Sequence, residues 1–211
     1  MISLSRNILF VCMVFFCLLL AYVTAKYLSF ESDINFLLVK GDLIFDSIWR
    51  PTFYVHVISG IFIIAIAPIQ FIPYIRKKSI RLHKFLGKIY AYGILLLAGP
   101  TGIIMAFYAE GGTSSTIAFL IMGCLWIFTT FLAVQAIVKK DIIGHQKWMY
   151  RSFALSTAAV TLRILVPMMS ITHWFDEQFI IVSTAWLSWM INLGIAELII
   201  LQKFHLKNKI I

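Results

Sequence analysis

Six stretches of about twenty predominantly apolar residues recur along this chain: Ile8 to Leu28, Thr52 to Ile75, Leu82 to Tyr108, Ser115 to Val138, Trp148 to Ser170 and Phe179 to Leu201. Each is long enough to cross the ~30 Å hydrocarbon core of a bilayer as a helix. The expected fold is therefore all-α, a polytopic membrane protein in which six transmembrane helices form one integral membrane domain over residues 1–211. Composition excludes a soluble domain: 61% of the 211 residues are apolar and 13% charged, against about 45–50% and ~25% in ordinary globular chains. The three cysteines, Cys12, Cys17 and Cys124, all lie inside apolar runs. Their spacing suits neither a disulfide scaffold nor a zinc ribbon.

Orientation follows from the basic residues, because cytoplasmic loops retain Lys and Arg. With the amino terminus inside, fourteen of the eighteen cations fall on the inner side: Arg6; Arg76, Lys77, Lys78, Arg81, Lys84 and Lys88; Lys139, Lys140, Lys147 and Arg151; Lys203, Lys207 and Lys209. Only Lys26, Lys40 and Arg50 fall outside, with most of the acids, and Arg163 lies within a span. Both termini are expected in the cytoplasm, and the expected location is the cytoplasmic (inner) membrane of a bacterium. This topology accounts for the net charge of +9, so the partner the charge implies is the lipid bilayer and not nucleic acid. The first span is long for a signal peptide and suits an anchor; cleavage after Ala25 is the alternative. The longest loop, Ser29 to Pro51, alternates apolar stretches with acids, which predicts a short interfacial helix or two broken at Gly41.

Polar and small residues inside spans mark helix contacts or internal cavities. On the second span His56, Ser59, Gly60, Ile63, Ala67 and Gln70 share a face at helical spacing. On the third, His83, Gly87, Tyr90, Ile94, Leu97 and Thr101 do so, with Lys84 and Lys88 on a neighbouring face suited to headgroups. On the fifth, His145, Met149, Ser152, Ser156, Ala159 and Arg163 align, which sets His145 and Arg163 on one side ~27 Å apart. These three spans are expected to face one another around a polar interior. The plainer meaning of Gly60, Gly87, Ser152, Ser156 and Ala159 is close helix packing. Trp49, Tyr54, Tyr74, Tyr108, Trp148 and Trp174 stand near span ends as interfacial anchors. Pro68 and Pro100 should kink their helices.

Depth sorts the histidines into two levels. His56 and His173 lie toward the outer side, His83 and His145 toward the inner side, and His205 belongs to the basic tail. Imidazoles from opposing helices are what b-type haem needs, so His83 and His145 are the candidate iron ligands and His56 a candidate cofactor ligand nearer the outside. The plainer reading places each histidine at a polar interface where it costs little. Arg163, ~10 Å below the outer end of its span, is the candidate anchor for a haem propionate, a lipid phosphate or a substrate carboxylate. Its plainer role is snorkelling outward or bonding main-chain carbonyls. Glu197 matches Arg151 in depth, which predicts a structural ion pair with Gln135 beside it. No phosphate loop, HExxH, GxSxG or di-iron histidine box is present, and no catalytic residue is assigned.

The segments His56-Val-Ile-Ser-Gly60 with Pro68-Ile-Gln-Phe71, Arg81-Leu-His-Lys-Phe-Leu-Gly-Lys-Ile-Tyr90, Ala109-Glu-Gly-Gly112, and Gly144-His-Gln-Lys-Trp-Met-Tyr-Arg151 with Thr161-Leu-Arg163 together resemble an uncharacterised bacterial family of multi-pass membrane proteins, a domain of unknown function. The resemblance covers Thr52 to Arg163 and implies membership without an activity. A looser similarity, of architecture alone, is to di-haem transmembrane cytochromes b. The leading functional expectation is transmembrane electron transfer through b-type haem to a redox partner. Its alternative is a small transporter, or a lipid- or partner-binding membrane protein, that uses the intramembrane His and Arg residues.

Overall fold

The computed structural model describes residues 2–31, 34, 37–38 and 40–205. The side chains of Arg6 and His205, all of Asp33, Lys207 and Lys209, and half of the Ile34–Val39 stretch lie outside the described residues. Among those described the chain is all-α, without a strand. Six helices are long and apolar enough to cross a membrane: Phe10–Ser29, Trp49–Gln70, Ile80–Ala106, Gly112–Val138, Ile142–Thr172 and Glu177–Phe204. We number these as spans one to six.

The helices are α1 (Ile2–Thr24), α2 (Trp49–Gln70), α3 (Pro73–Lys78), α4 (Ile80–Tyr92), α5 (Gly99–Ala106), α6 (Gly112–Val138), α7 (Ile142–Ser156), α8 (Ala158–Thr172) and α9 (Glu177–Ile200). Acids and hydroxyls set where several begin, by accepting the main-chain N–H groups that a first turn leaves unpaired. The Asp46 carboxylate accepts from Ile48 and Trp49, at 2.8 and 2.6 Å. Asp141 accepts from Gly144 at 2.8 Å and Asp176 from Phe179 at 2.8 Å. Ser79 caps α4. The second span stops at Gln70, short of the Ile75 expected, because Pro73 opens the separate helix α3, where its missing N–H costs nothing.

Two compact units are present, Met1–Thr101 and Gly102–Ile211. In the first, α1 and the stretch joining α4 to α5 both pack on α2. Where α1 ends, Tyr27 meets Phe53 edge to face with centroids 5.3 Å apart, and Phe53 stacks on Trp49 at 5.1 Å. Trp49 is 1% exposed, so it is a core residue and not the interfacial anchor expected. Trp174 and Tyr74, 82% and 64% exposed, keep positions suited to anchoring. The loop before α2 holds a short 3-10 helix at Gly41–Phe45, opened by Gly41 at φ +51°.

In the second unit α6 packs on α7 and α9, and α9 on α7 and α8. Gly111 precedes α6 at φ +92°, and a Cβ there would run into Ser115 and, at 2.8 Å, Ile181. Only glycine suits both the dihedral and the space.

Candidate functional site

Within the first unit the polar face of α2 meets the third span. Near the elbow, the Gln70 amide is buried and oriented so that its nitrogen donates to His83 Nδ1 at 2.7 Å and to the His83 carbonyl at 3.2 Å, while its oxygen accepts from Gly87 N at 3.2 Å. Because Nδ1 of His83 accepts, the proton of the neutral ring sits on Nε2. Deeper in, a π-helical segment, Gly93–Ala98, interrupts the third span. It precedes Pro100, which has no N–H for the ladder. The wider turn advances the register by one residue. Ala98, fully buried, therefore faces α2, whereas Leu97, expected on that face, is 47% exposed.

The carbonyls at this interruption are taken by side chains. His56 Nδ1 donates to Ala98 O at 2.9 Å. Thr101 Oγ1 donates to Leu97 O at 2.6 Å and lies 3.5 Å from His56 Nδ1. On the same face Ser59 is buried, and Gly93 brings its backbone against Ile63. His56 and Thr101 thus clasp the third span where its regular hydrogen bonding lapses.

The second unit contains a comparable interruption. The fifth span is two helices that break at Thr157 (φ −86°, ψ 0°), midway between Ile142 and Thr172. Thr157 Oγ1 turns back to Ala154 O at 2.9 Å. Asn192, on α9, donates through Nδ2 to Ala154 O at 3.1 Å and to Thr157 Oγ1 at 3.2 Å, and its Oδ1 accepts from Thr161 Oγ1 at 2.9 Å. In hydrocarbon a freed carbonyl needs a partner from within the protein, and Asn192 supplies it. Asn192 is a site residue that the reading of the sequence missed.

The break also uncouples the two halves of the fifth-span stripe. Arg163 is exposed and donates through Nη1 to Ala159 O at 3.1 Å. The half below the break is spent on α6. His145 Nδ1 donates to Ala133 O at 2.8 Å, Ser152 and Thr130 share a hydrogen bond of 2.8 Å, and Trp126 Nε1 donates to Ser156 Oγ at 2.9 Å. The polar face of α7 is therefore spent within its own unit, on the fourth span. The donors and acceptors on α6, Trp126 and Thr130, lie in a run whose overall hydrophobicity hides them.

At the end of this unit that carries Lys203, Arg151 meets Glu197 through two hydrogen bonds, Nε to Oε1 at 2.5 Å and Nη2 to Oε2 at 2.9 Å. The guanidinium also lies 4.5 Å from the centre of the Trp148 ring. Gln135, expected beside them, is exposed and bonds to neither. Lys203 instead reaches Tyr150 Oη at 3.1 Å and Gln146 at 3.4 Å.

The candidate haem ligands differ in chemistry. Iron needs an unprotonated ring nitrogen, and a ligating histidine usually donates its other N–H to a carbonyl or carboxylate. His145 fits, because Nδ1–H is held by Ala133 O and Nε2 keeps its lone pair. His83, with the Gln70 amide nitrogen 2.7 Å from Nδ1, carries its proton on Nε2 in this arrangement. His173 ends α8 at φ +54° and lines an open cleft of about 440 Å³ with Ser170, Phe175 and Glu177. Among the described residues no group of three or more His, Cys, Asp or Glu could hold a metal ion.

No curated protein and no solved structure matches the chain. Residues 53–200, spans two to six with the polar contacts above, match the model of a family described as Predicted membrane protein (DUF2306). The chain is therefore a multi-pass membrane protein belonging to that family.

Proposed function

We propose that the protein moves a small anionic or protonatable solute across the bacterial cytoplasmic membrane, with both termini in the cytoplasm. The observation that carries this reading is that spans three and five are each interrupted deep within their length, with the exposed carbonyl held by a polar side chain of another span, His56 or Asn192. Discontinuous spans of this kind place polar groups at mid-depth, where transporters hold solutes and coupling ions. His56 serves as the proton-carrying group, since an intramembrane histidine is expensive unless used, and Arg163 supplies positive charge on the outer half of its span. The test uses purified protein in pyranine-loaded vesicles under a pH gradient, with inorganic phosphate, which does not cross lipid unaided, as the probe anion. Phosphate-dependent proton flux at least tenfold above empty vesicles, lost in His56→Ala, is expected; flux equal to empty vesicles contradicts the reading.

Electron transfer through b-type haem is the second reading, favoured by the ring orientation of His145. It predicts a Soret band and sharp reduced α and β bands in protein expressed with ample haem, lost in His145→Ala. In this reading His83 is a packing residue, and His83→Ala keeps the bands.

A further inference from the structure

We infer that the elbow between spans two and three holds one membrane phospholipid with an acidic headgroup, its phosphate on Lys84 and Lys88 and one acyl chain in a groove beside α2. This inference is independent of the transport reading. Arg76, Lys77, Lys78, Arg81, Lys84 and Lys88 are all exposed. No acid occurs in the sequence between Asp46 and Glu110, and none of the six pairs with an acid among the described residues. Arg151 of the second unit is neutralised by Glu197, whereas in the elbow Lys78 rests on Tyr74 and Lys84 and Lys88 are exposed. Positive-inside topology explains why cations gather at this elbow. It does not explain where they stand relative to the groove.

The groove, of about 320 Å³, is lined by Phe62, Ile63, Ile89, Tyr92, Gly93 and Leu96 with their neighbours, almost wholly apolar. It opens outward, for Phe62, Tyr92 and Leu96 are 59%, 52% and 68% exposed. Gly93 and the π-helical turn make the room. Lys84, Lys88 and Tyr92 follow at four-residue intervals along one edge of the third span, so Lys88 stands about one turn and Lys84 about two turns from the mouth of the groove. The span has 27 residues, about 40 Å of helix against ~30 Å of hydrocarbon. The excess of about 10 Å puts the first turns of α4, with Arg81 and Lys84, at headgroup level, and the long side chain of Lys88 reaches back to it. Charge above and an apolar groove directly below match the two ends of an acidic phospholipid.

The test titrates the full chain in detergent with phosphatidylglycerol, phosphatidylcholine or inorganic phosphate, counting bound lipid by native mass spectrometry. One tightly held phosphatidylglycerol per chain is expected, at least tenfold tighter than phosphatidylcholine and not displaced by millimolar phosphate. Lys84→Gln/Lys88→Gln and Leu96→Trp should each weaken it at least tenfold. Equal binding of the two lipids, displacement by phosphate, or unchanged binding in the Lys84→Gln/Lys88→Gln variant overturns the inference. Should either variant fail to fold, phosphatidylglycerol with a photoactivatable acyl chain is applied to the parent protein. Adducts on Phe62, Tyr92 or Leu96 support the site; adducts only elsewhere overturn it.

Discussion

Replacing Asn192 by leucine lowers the stability of the second unit by about 2–3 kcal/mol, the largest loss expected from any single polar side chain here. Three hydrogen bonds end on that amide, from Thr161 and to Ala154 O and Thr157. Hydrogen bonds between membrane helices are individually worth ~0.6 kcal/mol on average. The larger total arises because three bonds are lost together at a break in mid-membrane, leaving Thr161 Oγ1 without its acceptor and Ala154 O with the Thr157 hydroxyl alone where little water is at hand. At ~2–4 °C per kcal/mol for a chain of this size, the apparent melting temperature in detergent falls by roughly 5–10 °C. A double-mutant cycle isolates the mechanism: in Asn192→Leu, the further change Thr161→Val costs almost nothing, although Thr161→Val alone costs about 0.5–1 kcal/mol. Additive losses in the cycle contradict the shared network.

The second large effect is an asymmetry at the ion pair of Arg151 and Glu197. Arg151→Leu leaves Glu197 as a lone carboxylate on a mostly apolar helix, and a loss of about 2 kcal/mol is expected. That is below the 3–5 kcal/mol of a fully buried pair, because the two side chains remain 23% and 45% exposed. Glu197→Gln costs about 1 kcal/mol, since the guanidinium keeps the Trp148 ring 4.5 Å away and its length lets it reach water. Arg151→Leu/Glu197→Leu regains most of the loss, as apolar replacement of an ion pair often does. Thermal denaturation of the three variants side by side checks the order. Equal losses in both single variants contradict the role given to Trp148.

The six spans were legible because an apolar run of twenty residues has few other uses. Their interruptions were not. Pro100 announced a disturbance in the third span but not a π-helical turn, and a one-residue shift of register changes no residue type; it shows only as Ala98 where Leu97 was expected. The fifth span breaks at Thr157 between Ser156 and Ala158, with neither glycine nor proline to mark it. Its partner Asn192 continues Thr184 and Ser188 at four-residue intervals along α9, a stripe of small hydroxyls that reads as close packing, and for that reason it did not stand out. The polar stripe of α7 was visible, but its destination depended on Thr130 and Trp126, which look like ordinary members of an apolar helix. Arg151 and Glu197 were easier to associate because each charge is rare at its depth and needs an opposite one. Trp49 reads as an anchor by position, and only its packing against Phe53 places it in the core.

Thiol accessibility at the two interruptions is the most direct test of the claim that they are polar points reached by solute. Thr101→Cys and Thr161→Cys are introduced one at a time after Cys12, Cys17 and Cys124 are replaced, with Leu187→Cys on the exposed face of α9 as the lipid-facing control. Each is treated in vesicles with a charged methanethiosulfonate reagent that does not cross lipid. The account predicts that both threonine positions react at least tenfold faster than Leu187→Cys. Reaction as slow as the control at both positions would show the interruptions to be dry packing features and would contradict the transport reading.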